Sequence, residues 1–154
     1  MVIRYFDGIV PAPSTLQEAD ERLRDVSEKV LPQVSQQVDD LAFSKALASI
    51  WEVVSATNKY IDETAPWTLA KEEKGRPRLG TVLYNALEAL RISALLLAAF
   101  MPATSEKMWS QLGMEASLWE QRVDEDGRWG GLKPGKKLAK PAPLFPRIEV
   151  PKPV

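Results

Sequence analysis

Apolar positions recur at spacings of three and four over three long stretches of the chain. In the first, Leu16, Ala19, Leu23, Val26, Val30, Val34, Val38 and Leu41 alternate with Glu18, Asp20, Glu21, Arg24, Asp25 and Glu28. That is the signature of an amphipathic helix with one buried stripe. Pro32 falls inside it and predicts a kink, because its ring clashes with the carbonyl four residues back. Ser14 or Thr15 is placed to cap this helix, with Gln17 and Glu18 completing a capping box.

Asp39 or Asp40 offers a second cap, and Phe43, Leu47, Ile50, Val54 and Ile61 mark a second helix that stops before Pro66. After the loop KGRPRLG a third helix is predicted from about Thr81 to Met101, almost wholly apolar after Arg91 and therefore covered on most sides. Pro102 breaks it, Thr104 or Ser105 caps a short fourth helix, and Gly113 ends that one. Met1 to Phe6 is apolar and reads as the end of an element, before the breakers Asp7-Gly8 and Pro11-Ala12-Pro13. Past Gly113 the periodicity is lost, and half of the 8 glycines and half of the 12 prolines fall beyond Asp126. Leu144 to Glu149 could form a short extended segment there. The pattern predicts an all-α antiparallel helix bundle in one domain, 1–154, with a helical core at about 14–113 and an irregular basic C-terminal tail at 114–154 packing back on it.

Composition narrows the chemistry. The 154 residues contain no cysteine and no histidine. Disulfides, thiol catalysis, and histidine-based acid–base or metal chemistry are excluded from these residues. Phosphate-cradling loops, a GxSxG elbow and an HExxH helix are absent. The carboxylate pairs Asp39/Asp40, Asp62/Glu63 and Glu72/Glu73 read as solvated faces. No metal site, cofactor site or catalytic residue is expected here. No signal peptide is visible, and the most apolar run, Ile92 to Met101, is about half of the roughly 20 residues a membrane span needs. Residues from Arg128 onward carry a basic excess on an otherwise acidic chain of net charge −1. This points either to an anionic partner or to a solvated lysine-rich segment.

The 5 tryptophans are the remaining signal. Trp51 sits beside the second helix's stripe and reads as core. Trp109 and Trp119 read as core cover, and Trp129 as a pin for the glycine-rich loop. Trp67, just past a helix-terminal proline and among charges, reads on spacing alone as a lid over the core.

The segment NKYIDETAPWTLAKEE (58–73), with ALASIWEVVSATN before it and LYNALEALRISALLLAAFMPATSEKMWSQLG after it, resembles the anticodon-binding domain of bacterial methionyl-tRNA synthetases. MVIRYFDGIVP and LFPRIE are similar to the same family, so the resemblance covers nearly the whole chain. It implies that Trp67 is the platform on which the first anticodon base, a cytosine, stacks, with Pro66 fixing the backbone before it. It places Asp62 at an acidic selectivity position; the alternative is a plain helix-terminal carboxylate. Asn58, one turn earlier, could read a base edge or cap a backbone group. Arg147 matches an arginine near the anticodon, or pairs with the acidic body. Lysines 133–140 could hold phosphates without reading sequence.

The implied partners are a tRNA anticodon loop and the catalytic domain of the same enzyme, with no membrane and no DNA, in the cytoplasm. The family's catalytic signatures are missing, as is the helix ahead of Met1. The chain is therefore expected to be a non-catalytic C-terminal fragment of a methionine–tRNA ligase whose parent uses ATP and Mg. Apolar surface near Met1 to Phe6 should then lie exposed and favour self-association. The rivals are the anticodon domain of another class I synthetase and a helical protein-interaction bundle.

Overall fold

The computed structural model describes residues 1–147; the end of the segment at 144–149 lies outside that range. Among the described residues seven helices follow in order: α1 (Val2–Phe6), α2 (Glu18–Asp39), α3 (Phe43–Thr64), α4 (Pro66–Leu69), α5 (Arg76–Leu97), α6 (Pro102–Gln111) and α7 (Val123–Asp126). Short 3₁₀ turns occupy Glu73–Gly75 and Leu118–Glu120. The three long helices pack on one another, and α6 folds back on α5. Among the described residues there is no strand, only an isolated bridge pairing Ile9 with Lys137.

The core forms where the three stripes meet: Leu23, Val30 and Val34 of α2, Ala46, Ile50, Val53 and Tyr60 of α3, and Val82, Ala89, Ile92 and Leu96 of α5. Helix α5 is the axis of the bundle. With the turn before it, it is long and apolar enough to cross a membrane by composition, yet 89% of its most apolar window is buried by its neighbours. Leu90 is the exposed position in its middle.

Several boundaries differ from the sequence expectation, each for a local reason. Helix α2 starts at Glu18, and its cap is Gln17, whose N–H donates to the Asp20 carboxylate (2.7 Å). Ser14 is drawn to α5 instead, its hydroxyl bonded to the Thr81 hydroxyl (3.0 Å) and its N–H donating to the same oxygen (2.8 Å). Helix α2 runs through the exposed Pro32 without interruption. Neither Asp39 nor Asp40 caps α3. Leu41 adopts the left-handed conformation (φ 57). Its N–H donates to Val38 and the Ala42 N–H to Gln37, which is a Schellman closure that leaves Ala42 as the cap of α3. Helix α5 begins at Arg76, five residues before Thr81, with Pro77 in its first turn. Helix α6 begins at Pro102, ahead of Thr104 and Ser105.

Two buried polar clusters, neither visible in the periodicity, pin the helices together. In the first, the Asp20 carboxylate accepts from the Tyr60 hydroxyl (2.5 Å), Asn85 Nδ2 (3.0 Å) and Arg78 Nη1 (2.5 Å), joining α2, α3 and α5. Burial raises the Asp20 pKa, but the hydrogen bonds from Arg78, Tyr60 and the Gln17 N–H outweigh it and hold the carboxyl below its ordinary value. Burial, together with the bond to Asp20, pushes the Tyr60 hydroxyl up.

In the second cluster Glu88, fully buried, accepts from the N–H groups of Gly130 (2.8 Å), Gly131 (2.9 Å) and Leu132 (2.9 Å). It also pairs with Arg91 (2.7 Å), whose guanidinium donates to the carbonyls of Asp126 (2.6 Å) and Arg128 (2.7 Å). A Cβ on Gly131 would stand 2.5 Å from the Arg91 guanidinium carbon, so a side chain there would push the guanidinium off its partners. The tail is thereby clamped to α5. It continues through Val10 N–H to Lys136 O and Leu138 N–H to Gly8 O, which tie it to the segment after α1.

Candidate functional site

The end of α3 is shaped by one residue. Ala65 takes a left-handed conformation (φ 40, ψ 61) and donates its N–H to Ile61 O, closing α3. Its own carbonyl then accepts from Thr68 and Leu69, opening α4. The residue before a proline usually extends; here the left-handed turn lets one helix follow the other around a corner. Pro66 occupies the first position of α4, is buried and needs no N–H donor there. Trp67 follows directly and is 49% exposed. Gly75 anchors the far side of this corner: a Cβ there would collide with the Leu69 carbonyl, so the backbone can close on α4 only without a side chain. Beneath it, Asp20 binds Tyr60 of α3 and Arg78 and Asn85 of α5, fixing the two helices that flank the turn.

Asn58 and Asp62 are exposed on α3 at i and i+4, so their side chains lie one above the other. Among the described residues neither side chain, nor the Trp67 indole N–H, makes a hydrogen bond within the protein. The charges alongside are already engaged: Glu63 pairs with Arg22 (3.0 Å) and with Lys59 (3.8 Å). Trp67 just past the corner, and Asn58 and Asp62 on the last turns of α3, thus supply an aromatic face, an amide and a carboxylate with unspent bonding capacity. This is what recognition of a splayed base requires: a flat surface to stack on and partners for its edge. Arg147 is exposed at the end of the described chain, and among the described residues no hydrogen bond or ion pair joins it to Asn58, Asp62 or Trp67. Lys136 pairs with Glu115 (3.4 Å), while Lys133, Lys137 and Lys140 are exposed.

The remaining tryptophans divide differently from expectation. Trp109 is buried and donates to Ala116 O (2.8 Å), and Trp129 is half-buried against the main core. Trp119 does not cover the core: it is exposed and donates to Glu106. Trp51 is not core either, being 54% exposed. The buried stripe of α3 is Ala46, Ile50, Val53, Thr57 and Tyr60, and Trp51 lies on the opposite side.

An apolar groove of about 250 Å³ is lined by Ile3, Leu87, Leu90, Met108, Leu112 and Leu138, among others. Groups of three or more acidic residues placed to hold a metal are absent among the described residues.

Residues 10–152 match the family described as the anticodon binding domain of methionyl tRNA ligase. A methionine–tRNA ligase of Caldanaerobacter subterraneus is 47% identical over 154 residues, covering 99% of this chain and 23% of that protein. The Bacillus subtilis methionine–tRNA ligase is 42% identical over 97% of this chain and 22% of its own length. The apo crystal structure of Mycobacterium tuberculosis methionyl-tRNA synthetase superposes with a TM-score of 0.87 at 33% identity, over 98% of this chain and 30% of that one.

Proposed function

Because the chain belongs to the family of anticodon-binding domains of methionyl-tRNA ligases, we propose that the corner at Trp67 receives the loop of a methionine tRNA. The first anticodon base stacks on the Trp67 indole, and Asp62 and Asn58 read its edge. The observation that carries this reading is the combination of a half-exposed indole with a buried proline immediately before it. A core lid would be sealed; a ring on a mobile loop would lose the entropy of ordering on binding. Pro66 and the left-handed Ala65 hold Trp67 in place while leaving a face open. A carboxylate at Asp62 accepts from a cytosine amino group and repels phosphates arriving in the wrong register. Arg147 and lysines 133–140 serve in this reading as phosphate contacts.

The chain spans about a quarter of the length of the curated relatives it matches. Charging of tRNA with methionine, with ATP and Mg, accordingly belongs to a catalytic part formed by the rest of such an enzyme, acting in the cytoplasm. The M. tuberculosis relative has been seen in complex with methionyl-adenylate. The residues described here contribute recognition and a docking face, for which the apolar groove beside Ile3 and Leu90 is the best-suited surface.

The test is titration of anticodon stem-loops with the 154-residue chain and with Trp67→Ala at low salt. Stacking is worth about 1–3 kcal/mol per base, so the substitution should weaken the methionine loop by about five- to 150-fold and leave the melting temperature within a few degrees. Equal binding of both proteins, or equal binding of loops with other first bases, refutes the reading.

A further inference from the structure

We infer that Trp51 is a second stacking platform, taking another nucleotide of the same RNA loop. This inference rests on the reading of Trp67 and extends it along α3. The helix buries Ala46, Ile50, Val53, Thr57 and Tyr60 against α2 and α5. With 100° per residue, the stripe facing away from the core is Ala48, Trp51, Ser55, Asn58 and Asp62, all exposed. Trp51 thus shares its face with the two polar residues of the corner. It sits seven residues before Asn58, about 10 Å along the axis, and 11 before Asp62, about 16 Å. Stacked bases rise about 3.4 Å each, so these separations suit a short run of loop nucleotides laid along one helix face.

The surroundings of Trp51 favour a base over a protein partner. Tryptophan anchors of protein interfaces cluster with other well-packed large side chains near the interface centre. The exposed neighbours one turn to either side are the small residues Ala48 and Ser55, with Glu52 adjacent. The indole therefore stands among small and charged residues of α3 and is 54% exposed. Its N–H makes no hydrogen bond within the protein among the described residues, in contrast to Trp109 and Trp119, whose N–H groups are both used. A bulky ring contributes little to stability there, since helix formation prefers a smaller or straight-chain residue. Stacking is indifferent to base identity, so Trp51 adds affinity and register, while Trp67 and its carboxylate neighbour set selectivity.

The experiment uses methionine stem-loops carrying 2-aminopurine at each loop position in turn, with the unaltered chain, Trp51→Ala, Trp51→Phe and Trp67→Ala. Trp51→Ala should weaken binding about five- to 150-fold and abolish quenching at one position other than the first anticodon base. Preference for cytosine at that first base should persist. Trp51→Phe should restore most of both. If Trp67→Ala weakens the loop and Trp51→Ala changes no position, the second platform is refuted and the first reading stands. If Trp67→Ala has no effect, or the unaltered chain binds no loop, both fall. A Trp51→Ala protein that melts many degrees lower, or loses self-association in sedimentation with unchanged RNA affinity, assigns the indole to structure or to a protein contact and overturns the inference.

Discussion

Replacing both members of a buried ion pair by apolar residues of similar size is often neutral or stabilising, because two desolvation costs vanish together. The Glu88–Arg91 pair should behave otherwise. Glu88 accepts from the N–H groups of Gly130, Gly131 and Leu132, and Arg91 donates to the carbonyls of Asp126 and Arg128. Glu88→Met with Arg91→Leu removes the two charges but orphans those five backbone groups. Each costs about 1–3 kcal/mol if it stays buried and unpaired, so the loop would have to open to water instead. The expected loss is about 3–5 kcal/mol, a large share of the 5–15 kcal/mol typical of a domain. Glu88→Ala alone orphans only the three N–H groups but leaves Arg91 charged and buried, so its loss should be at least as large. Urea unfolding followed by tryptophan fluorescence, with Trp129 inside the clamped loop, measures the loss. Amide exchange at Gly130 to Leu132 shows where it falls. A double variant within about 1 kcal/mol of the parent, with those amides still protected, would refute the claim that the pair works chiefly as a backbone clamp.

The Asp20 pKa is depressed in the folded state. The stability it contributes is therefore present above the ordinary carboxylate range and lost as pH falls through the lower folded value. Asp20→Asn should be less stable at pH 7 by about 3–5 kcal/mol, as when one partner of a buried pair is removed. It should also lose less stability than the parent between pH 4 and pH 2 in chemical denaturation; parallel curves would count against the assignment. Ala65→Gly should leave stability unchanged or raise it by up to about 1 kcal/mol, because it relieves a left-handed alanine. Ala48→Gly on the exposed face of α3 should cost about 1 kcal/mol, and equal losses at both sites would contradict the φ-based explanation.

The long helices were legible because burial against two neighbours imposes spacings of three and four on α2 and α3, and because α5, covered almost all round, is largely apolar apart from the buried Asn85, Glu88 and Arg91. The exact face of α3 was not. Phe43, Leu47, Val54 and Ile61 suggested a stripe about a quarter-turn from the real one; Leu47, Val54 and Ile61 are its half-buried edge. The true inner face contains Ala46, Thr57 and Tyr60, chosen for close approach and for bonding to Asp20 rather than for hydrophobicity. That rotation is why Trp51 reads as core in the sequence and stands in solvent in the structure. Trp119 misleads similarly, because a 3₁₀ turn with no helical period carries it. The buried clusters were illegible since Asp20, Arg78, Glu88 and Arg91 look like surface charges until partners 35 to 65 positions away, such as Tyr60 and Asn85 for Asp20, are brought beside them. At the corner, Pro66-Trp67 marked the place, but its construction from a left-handed alanine and a glycine closing on Leu69 required coordinates.

The most direct test of the account follows each indole separately in the same titration. With 5-fluorotryptophan incorporated and the five resonances assigned by single Trp→Phe substitutions, the methionine stem-loop is added to saturation and the ¹⁹F spectrum recorded. The Trp67 resonance should shift or broaden first and most, and the buried Trp109 resonance should stay where it was. A spectrum in which Trp67 is unmoved while the RNA is demonstrably bound would contradict the claim that this ring is held open for a base.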